Sequence, residues 1–157
     1  MNKVVQDIEK TIEQYRSCWT RLDFAGLKQL WDAEEGAPCY LPEEAPQALS
    51  GWAEIEDYWT RTRSVTRSIA VETSSLRVQP LGPDLVVALF GMRWVGEFAG
   101  YARPIGGDTR VSAIFRRRGD AWKFIHYVEA PLAPIAYFRR FYERFGSDEP
   151  ARGQAGA

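Results

Sequence analysis

The chain contains a single histidine, and its position makes it the first candidate for proton transfer. His126 lies in residues 122–129, a run of β-branched and aromatic side chains that follows a Gly-Asp turn signal. Because alternate side chains of a strand share one face, we expect His126 to point the same way as Trp122 and Phe124. An ordinary pKa of about 6.5 would suit a general acid or base. The alternative is a packed histidine without chemistry.

Other polar and aromatic side chains could complete a site around His126. Tyr15 and Tyr40 are candidate hydroxyl donors to a ligand. Tyr58 and Trp94 are large enough to form a pocket wall, although a core position is the default for such residues. Strict alternation places Glu129 on the face opposite His126, at a sheet edge or a subunit interface. A β-bulge in that strand would reverse the assignment.

Arg93 stands out because it directly follows the apolar run 85–92. A charge within a central strand normally needs a partner. One interpretation is an internal ion pair with Glu43 or Glu97. The other is an anion-binding group in a pocket, for which the planar guanidinium is well suited.

The elements that must position these residues begin with helices. Apolar side chains recur at helical spacing over residues 3–21, which predicts a long amphipathic helix. Asp23 is a suitable N-cap for a short second helix, and Ser50 for a third over residues 52–63. Between them, residues 39–41 form a short strand that Pro42 closes.

The apolar period then changes from helical to alternating, which predicts strands at about 69–78, 85–98, 109–117 and 122–129. Helices followed by strands indicate an α+β domain with helices on one face of an antiparallel sheet. The other face is also apolar, so we expect a homodimer through the sheet to cover it. A competing cover is residues 134–145, which show a helical aromatic stripe.

Length and composition limit the function classes. The 157 residues suit one domain, which we place at residues 1–147, with a flexible tail at 148–157. A formal net charge of −1 argues against nucleic acid as a partner. No run is long enough to span a bilayer, and we expect a soluble, cytoplasmic protein. Two scattered cysteines and one histidine predict no metal site, and no cofactor motif is present.

Several segments together resemble one superfamily. They are the start of the second helix at residues 23–27, the strand end at 40–43, the Gly51-Trp52 helix start and the strand at 122–127. The chain resembles the nuclear transport factor 2-like and SnoaL-like superfamily over roughly residues 4–133. The segments that look most like the association domain of calmodulin-dependent protein kinase II are residues 109–111, 116–117, 122, 125–127 and 130–134. The resemblance implies a cone-shaped, cystatin-like α+β roll around a pocket.

The resemblance also implies site residues. The association domain has pocket arginines on the strands that match Arg93 and Arg110, and an acid beside a proline that matches Glu43. Two guanidiniums beside His126 would bind a carboxylate-bearing ligand. The ketosteroid isomerase branch has a tyrosine eight residues before the Asp of the second helix, and Tyr15 keeps that spacing to Asp23.

The acid pair of that branch is absent, however. Its general-base aspartate corresponds to Leu41, and residues 109–118 hold no acid for its second carboxyl. Two hypotheses result. The first is a SnoaL-like protein that binds a small carboxylate-bearing or polyketide-like ligand, with His126 serving a cofactor-independent isomerase, dehydratase or cyclase. The second is a non-catalytic ligand-binding or oligomerisation module.

Overall fold

The computed structural model describes residues 3–132, to which the structural statements below refer. Helices α1 (Lys3–Thr20), α2 (Phe24–Gln29) and α3 (Trp52–Val65) pack on one curved sheet. Its strands are β1 (Cys39–Leu41), β2 (Leu49–Ser50), β3 (Thr66–Gly82), β4 (Leu85–Phe98), β5 (Ile105–Arg118) and β6 (Ala121–Pro131). The spatial order is β2-β1-β6-β5-β4-β3, and β1 runs parallel to β6. The α+β prediction is confirmed, whereas the predicted C-terminal helix and tail lie outside the described residues.

The helices form where the sequence predicts them, with one different cap. α1 buries Ile8, Ile12 and Tyr15 against the sheet, and Asp23 accepts a hydrogen bond from the Gly26 N–H at 2.8 Å to cap α2. The prediction that Ser50 caps α3 is wrong. Gly51 occupies the cap position with a φ of 81°, because Ser50 is held in strand pairing with Cys39.

Long strands give the sheet its curvature. β3 and β4 pair along almost their entire length, with register irregularities around residues 66–68, 74–77 and 80–82. Irregularities of this kind bend and twist a strand. The sheet therefore presents a concave inner face to α1 and α3 and an outer face on the other side. None of the helices within residues 3–132 is long and apolar enough to cross a membrane.

One irregularity in β6 determines which side chains reach the inner face. Ile114 pairs with His126, but Phe115 pairs with Phe124, so Ile125 is an extra residue in β6. This is a β-bulge, and it resets the alternation. Phe124 and Tyr127 are both fully buried on the inner face although three positions separate them. The predicted strand is confirmed, but the predicted facing of its second half is wrong.

An ionic cluster ties the hairpin end of β5 and β6 to the segment after α2. Asp32 is 2 % exposed, and its carboxylate accepts hydrogen bonds from Arg118 at 2.9 Å and Arg116 at 3.4 Å. The Asp32 N–H also donates to the Phe124 carbonyl at 2.9 Å. A buried carboxylate needs such partners. Arg116 and Arg118 therefore connect the hairpin to Asp32.

Candidate functional site

A cavity of about 460 Å³ lies between the inner face of the sheet, α1 and α3. This volume is in the range of small-molecule sites. Every major element except α2 and β2 contributes to its wall. The lining residues are Tyr15, Trp19, Tyr40, Glu43, Glu44, Tyr58, Thr62, Val65, Ile69, Val71, Met92, Trp94, Phe98, Ala99, Tyr101, Ile105 and Glu129.

Seven of the seventeen lining residues are aromatic, and several of their rings make edge-to-face contacts. The ring of Tyr40 lies 5.4 Å from that of Tyr58 and 5.5 Å from that of Tyr127. The rings of Trp94 and Phe98 are 6.0 Å apart. Such contacts fix ring positions. The cavity is therefore suited to a flat, apolar ligand.

Glu129 is the most perturbed acid of the cavity. Burial is the largest cause that raises the pKa of its carboxyl, and the nearby carboxyls of Glu44 and Glu43 also raise it, whereas the hydrogen bond from the Glu43 N–H lowers it. The resulting pKa is about 8. That N–H donates to Glu129 Oε2 at 3.0 Å. A carboxyl of this pKa is mostly protonated at neutral pH and is able to exchange a proton there.

Glu43 provides a second buried carboxyl. Burial raises its pKa, while the Trp94 Nε1–H, which donates to Glu43 Oε1 at 3.0 Å, lowers it. Its other oxygen, Oε2, is buried and makes no hydrogen bond of good geometry within the described residues. The Thr109 hydroxyl also lowers the pKa of Glu43, so this carboxyl is held between Trp94 and Thr109 at the cavity wall.

Tyrosine hydroxyls surround the two acids. Burial raises the pKa of Tyr15 and of Tyr40, and the Glu129 carboxylate raises both further. Burial likewise raises the pKa of Tyr58, whose hydroxyl donates to Glu44 Oε1. All three are therefore hydroxyl donors at neutral pH.

Five of the predicted site residues line the cavity: Tyr15, Tyr40, Glu43, Tyr58 and Trp94. His126 does not. It pairs directly with Ile114 on β5, between the buried inner-face residues Ala113 and Phe115, so it faces the outer side. Burial lowers its pKa. The prediction that His126 faces the pocket is corrected, because the bulge at Ile125 reverses the alternation after Phe124.

The two predicted pocket arginines also lie on the outer side. Arg93 is exposed between Met92 and Trp94, which both line the cavity, and its cross-strand neighbours are Glu72 and Asp108. It makes no ion pair with Glu43. Arg110 is exposed and donates to the Pro131 carbonyl at 3.4 Å. An anion clamp of these arginines and His126 is therefore not assembled in the cavity.

Sequence reasoning missed Glu129 and Glu44 as cavity residues. A signal for Glu129 exists, because the spacing of buried aromatics in β6 changes from two at Trp122 and Phe124 to three at Tyr127. No comparable pattern marks Glu44, because its position depends on the path of residues 42–48, which connect β1 to β2. Within residues 3–132, no group of His, Cys, Asp and Glu is arranged to hold a metal ion.

Comparisons with known proteins agree with this fold. The family model of the SnoaL-like domain matches residues 8–134. The chain therefore belongs to the SnoaL-like family. No curated protein sequence matches it.

Solved structures with a similar fold share little sequence. A proposed dehydratase of the nuclear transport factor 2-like family from Streptomyces avermitilis has a TM-score of 0.73 at 20 % identity, over 84 % of this chain and 98 % of that one. A cystatin-like protein from Caulobacter vibrioides has a TM-score of 0.70 at 14 % identity, over 91 % and 99 %. A proposed calcium/calmodulin-dependent protein kinase type II association domain from Thiobacillus denitrificans has a TM-score of 0.64 at 13 % identity, over 80 % and 94 %. The predicted superfamily and cystatin-like fold are confirmed.

Proposed function

We propose that the protein binds a small, apolar, ring-containing compound and eliminates water from it without a cofactor. The observation that carries this proposal is the Glu129 carboxyl, with a pKa of about 8, at the wall of an aromatic cavity. A dehydratase assignment also accompanies one structural neighbour of similar fold. In this proposal the two glutamates take the acid–base role that the sequence suggested for His126.

The two carboxyls have different environments, which suits them to different roles. Glu129 is mostly protonated at neutral pH and is the general acid. Glu43, which lines the cavity and accepts the Trp94 Nε1–H, is the general base. Tyr15 and Tyr40 donate hydrogen bonds to ligand oxygen. Pairs of titratable groups in contrasting environments commonly divide acid and base work in this way.

The elimination balances within these residues. The Glu43 carboxylate takes a proton from a ligand carbon, and the C–H electron pair forms a C=C bond to the neighbouring carbon. The C–O bond of that carbon breaks as Glu129 gives its proton to the departing hydroxyl. Water leaves, Glu43 is protonated, and Glu129 is ionised. One proton transfer from Glu43 to Glu129, directly or through solvent, restores the starting state.

A panel of cyclic β-hydroxy ketones tests this function, because loss of water creates a conjugated product that absorbs in the ultraviolet. We expect conversion by the wild type, and a loss of roughly 100-fold or more in kcat/KM for Glu129→Gln and for Glu43→Gln, the usual contribution of one acid or base. Tyr15→Phe should lose less, because Tyr40 remains.

Glu9→Gln is the matched control, since Glu9 is exposed on α1 and lies outside the cavity lining. It should convert the panel at the wild-type rate. Conversion by Glu129→Gln and Glu43→Gln at the wild-type rate would contradict the assignment. Ligand binding without conversion in any variant would instead favour the non-catalytic module.

We also propose that the outer face of the sheet forms a homodimer. Leu89 and Val95 project from β4 on this face and are 49 % and 44 % exposed. Ile114 and His126 lie beside this row and are half-buried. An apolar patch of this kind on a sheet marks an interaction surface. The association-domain neighbour is consistent with assembly through this fold.

A further inference from the structure

The charge distribution around the cavity is one-sided. Three carboxyls line it, those of Glu43, Glu44 and Glu129, whereas its lining includes no Lys, Arg or His among residues 3–132. The chain as a whole carries 20 Lys and Arg residues. None of the three glutamates forms an ion pair with a basic side chain in the described part of the chain.

Carboxyls in such a wall are costly without a partner of opposite charge, because burial disfavours the ionised form. The ionic cluster at Asp32 shows how this chain satisfies a buried acid elsewhere, with two arginines. The cavity has no equivalent arginine. The partners of Glu43, the Trp94 Nε1–H and the Thr109 hydroxyl, are uncharged. A positively charged group of a ligand would supply the missing partner.

Glu44 is the acid that the proposed elimination does not use. It is exposed at the edge of the cavity, and Oε1 accepts the hydroxyl hydrogen of Tyr58. The rings of Tyr58 and Tyr40 meet at 79° with centroids 5.4 Å apart, so they present two differently oriented aromatic faces beside this carboxyl. Cations bind over such faces within about 6 Å of the ring centroid.

We propose that the cavity selects a cationic ligand, an apolar ring compound that carries a protonated or quaternary amine, with its ammonium group held by Glu44, Tyr58 and Tyr40. This inference rests on the proposed function and names its substrate class as an apolar amino alcohol. It replaces the carboxylate-bearing ligand expected from sequence. The carboxylate of a ligand would lie beside the carboxyl groups of Glu43, Glu44 and Glu129, and the lining would offer it no basic side chain.

Three naphthalene probes of similar size test the charge preference: 2-naphthylmethyl-trimethylammonium, 2-(2-naphthyl)ethanol and 2-naphthylacetate. Isothermal titration calorimetry at pH 7.5 gives the three Kd values for the wild type. We expect the ammonium probe to bind about tenfold tighter than the alcohol, consistent with one cation–aromatic contact beside a carboxylate. The acetate should bind the weakest.

The variants Glu44→Gln and Glu9→Gln locate the effect. Glu44→Gln should reduce the advantage of the ammonium probe to about threefold or less and leave the Kd of the alcohol unchanged. Glu9→Gln, which removes an exposed carboxylate outside the cavity, should keep the full advantage. Because Glu44 is exposed, its replacement is not expected to impair folding.

Equal or tighter binding of the alcohol or the acetate would overturn the proposal, and so would an ammonium advantage that survives Glu44→Gln. Failure to bind any probe would overturn it as well. Such results would leave the elimination chemistry to be judged separately, because conversion of the hydroxy ketones depends on Glu43 and Glu129. Loss of that chemistry with a retained ammonium preference would reject the elimination alone.

Discussion

The two faces of the sheet carry opposite kinds of chemistry. The inner face holds Glu129 and Tyr127 in a closed aromatic environment, and burial raises the pKa of both. The outer face holds His126 and the exposed Arg93 and Arg110, together with an apolar row on β4. Basic side chains thus lie outside and unpaired acids inside. The direction in which a side chain faces, rather than its residue type, therefore decides whether it belongs to the site.

A single residue produces this division within β6. Ile125 is the bulge position, and if this residue took part in regular alternation, Tyr127 and Glu129 would share the outer face with the arginines. The conspicuous histidine then would lie inside. Each of the following predictions tests one part of this contrast.

Tyr127→Ala should have the largest effect. Tyr127 is fully buried and contacts the rings of Tyr15 and Phe124 at 5.0 and 5.6 Å, so its truncation would leave a cavity at the centre of the core. We expect a large fall in the thermal midpoint, because removal of a core aromatic costs about 3 to 5 kcal/mol. Circular dichroism melting measures this. Ile125→Val changes the half-buried bulge residue and should melt within a few degrees of the wild type. A Tyr127→Ala variant with wild-type melting would contradict the inward facing of Tyr127.

Glu129→Gln should change how stability depends on pH. Folding raises the pKa of Glu129 from its ordinary value of 4.5 to about 8, so the folded protein binds a proton between these pH values that the unfolded chain releases. The free energy of unfolding therefore falls as pH rises from about 4.5 to 8. Glu129→Gln has no carboxyl at this position, so its free energy of unfolding should not fall in this way. From pH 4 to pH 9, the free energy of unfolding of the variant should therefore increase relative to that of the wild type by on the order of 3 to 5 kcal/mol.

Urea unfolding of both proteins at pH 4, 6.5 and 9 provides the measurement, with Glu9→Gln as the control for removal of a carboxylate. A stability difference between wild type and Glu129→Gln that is constant with pH would mean that Glu129 has an ordinary pKa.

Leu89→Arg should separate the proposed dimer with a smaller energetic effect. Leu89 is half exposed on the outer face of β4, and a charge there would oppose burial between subunits. We expect light scattering to report a dimer for the wild type and at least a tenfold weaker dimer for the variant. Leu81→Arg is the control, because Leu81 is exposed near the end of β3. A wild-type monomer at micromolar concentration would reject the proposed dimer.

Changes at the outer polar residues should have the smallest effect on ligand chemistry. His126→Ala, Arg93→Ala and Arg110→Ala alter side chains that do not line the cavity. We expect kcat/KM on the hydroxy ketone panel to stay within about twofold of the wild type, provided that the dimer is intact. A tenfold loss in any of the three would place that residue in the site.

The sequence predicts most elements well because their signals are local. The limits of β4 agree at both ends, and the long helix agrees within one residue, since helical periodicity and turn residues act over a few positions. The cavity walls Tyr15, Tyr40 and Glu43 were also predicted, because the superfamily resemblance covers their segments. Glu129 could not be assigned, because its facing depends on Ile125 and on pairing with β5, a non-local partner.

The proposed elimination requires a Glu129 carboxyl that keeps its proton at neutral pH. Infrared difference spectra between wild type and Glu129→Gln, recorded from pH 5 to 10, isolate the C=O band of this one protonated carboxyl. We predict that the band is present at pH 7 and disappears with a midpoint near pH 8. A band already lost by pH 6 would show Glu129 ionised throughout the neutral range and would contradict its role as the acid of the site.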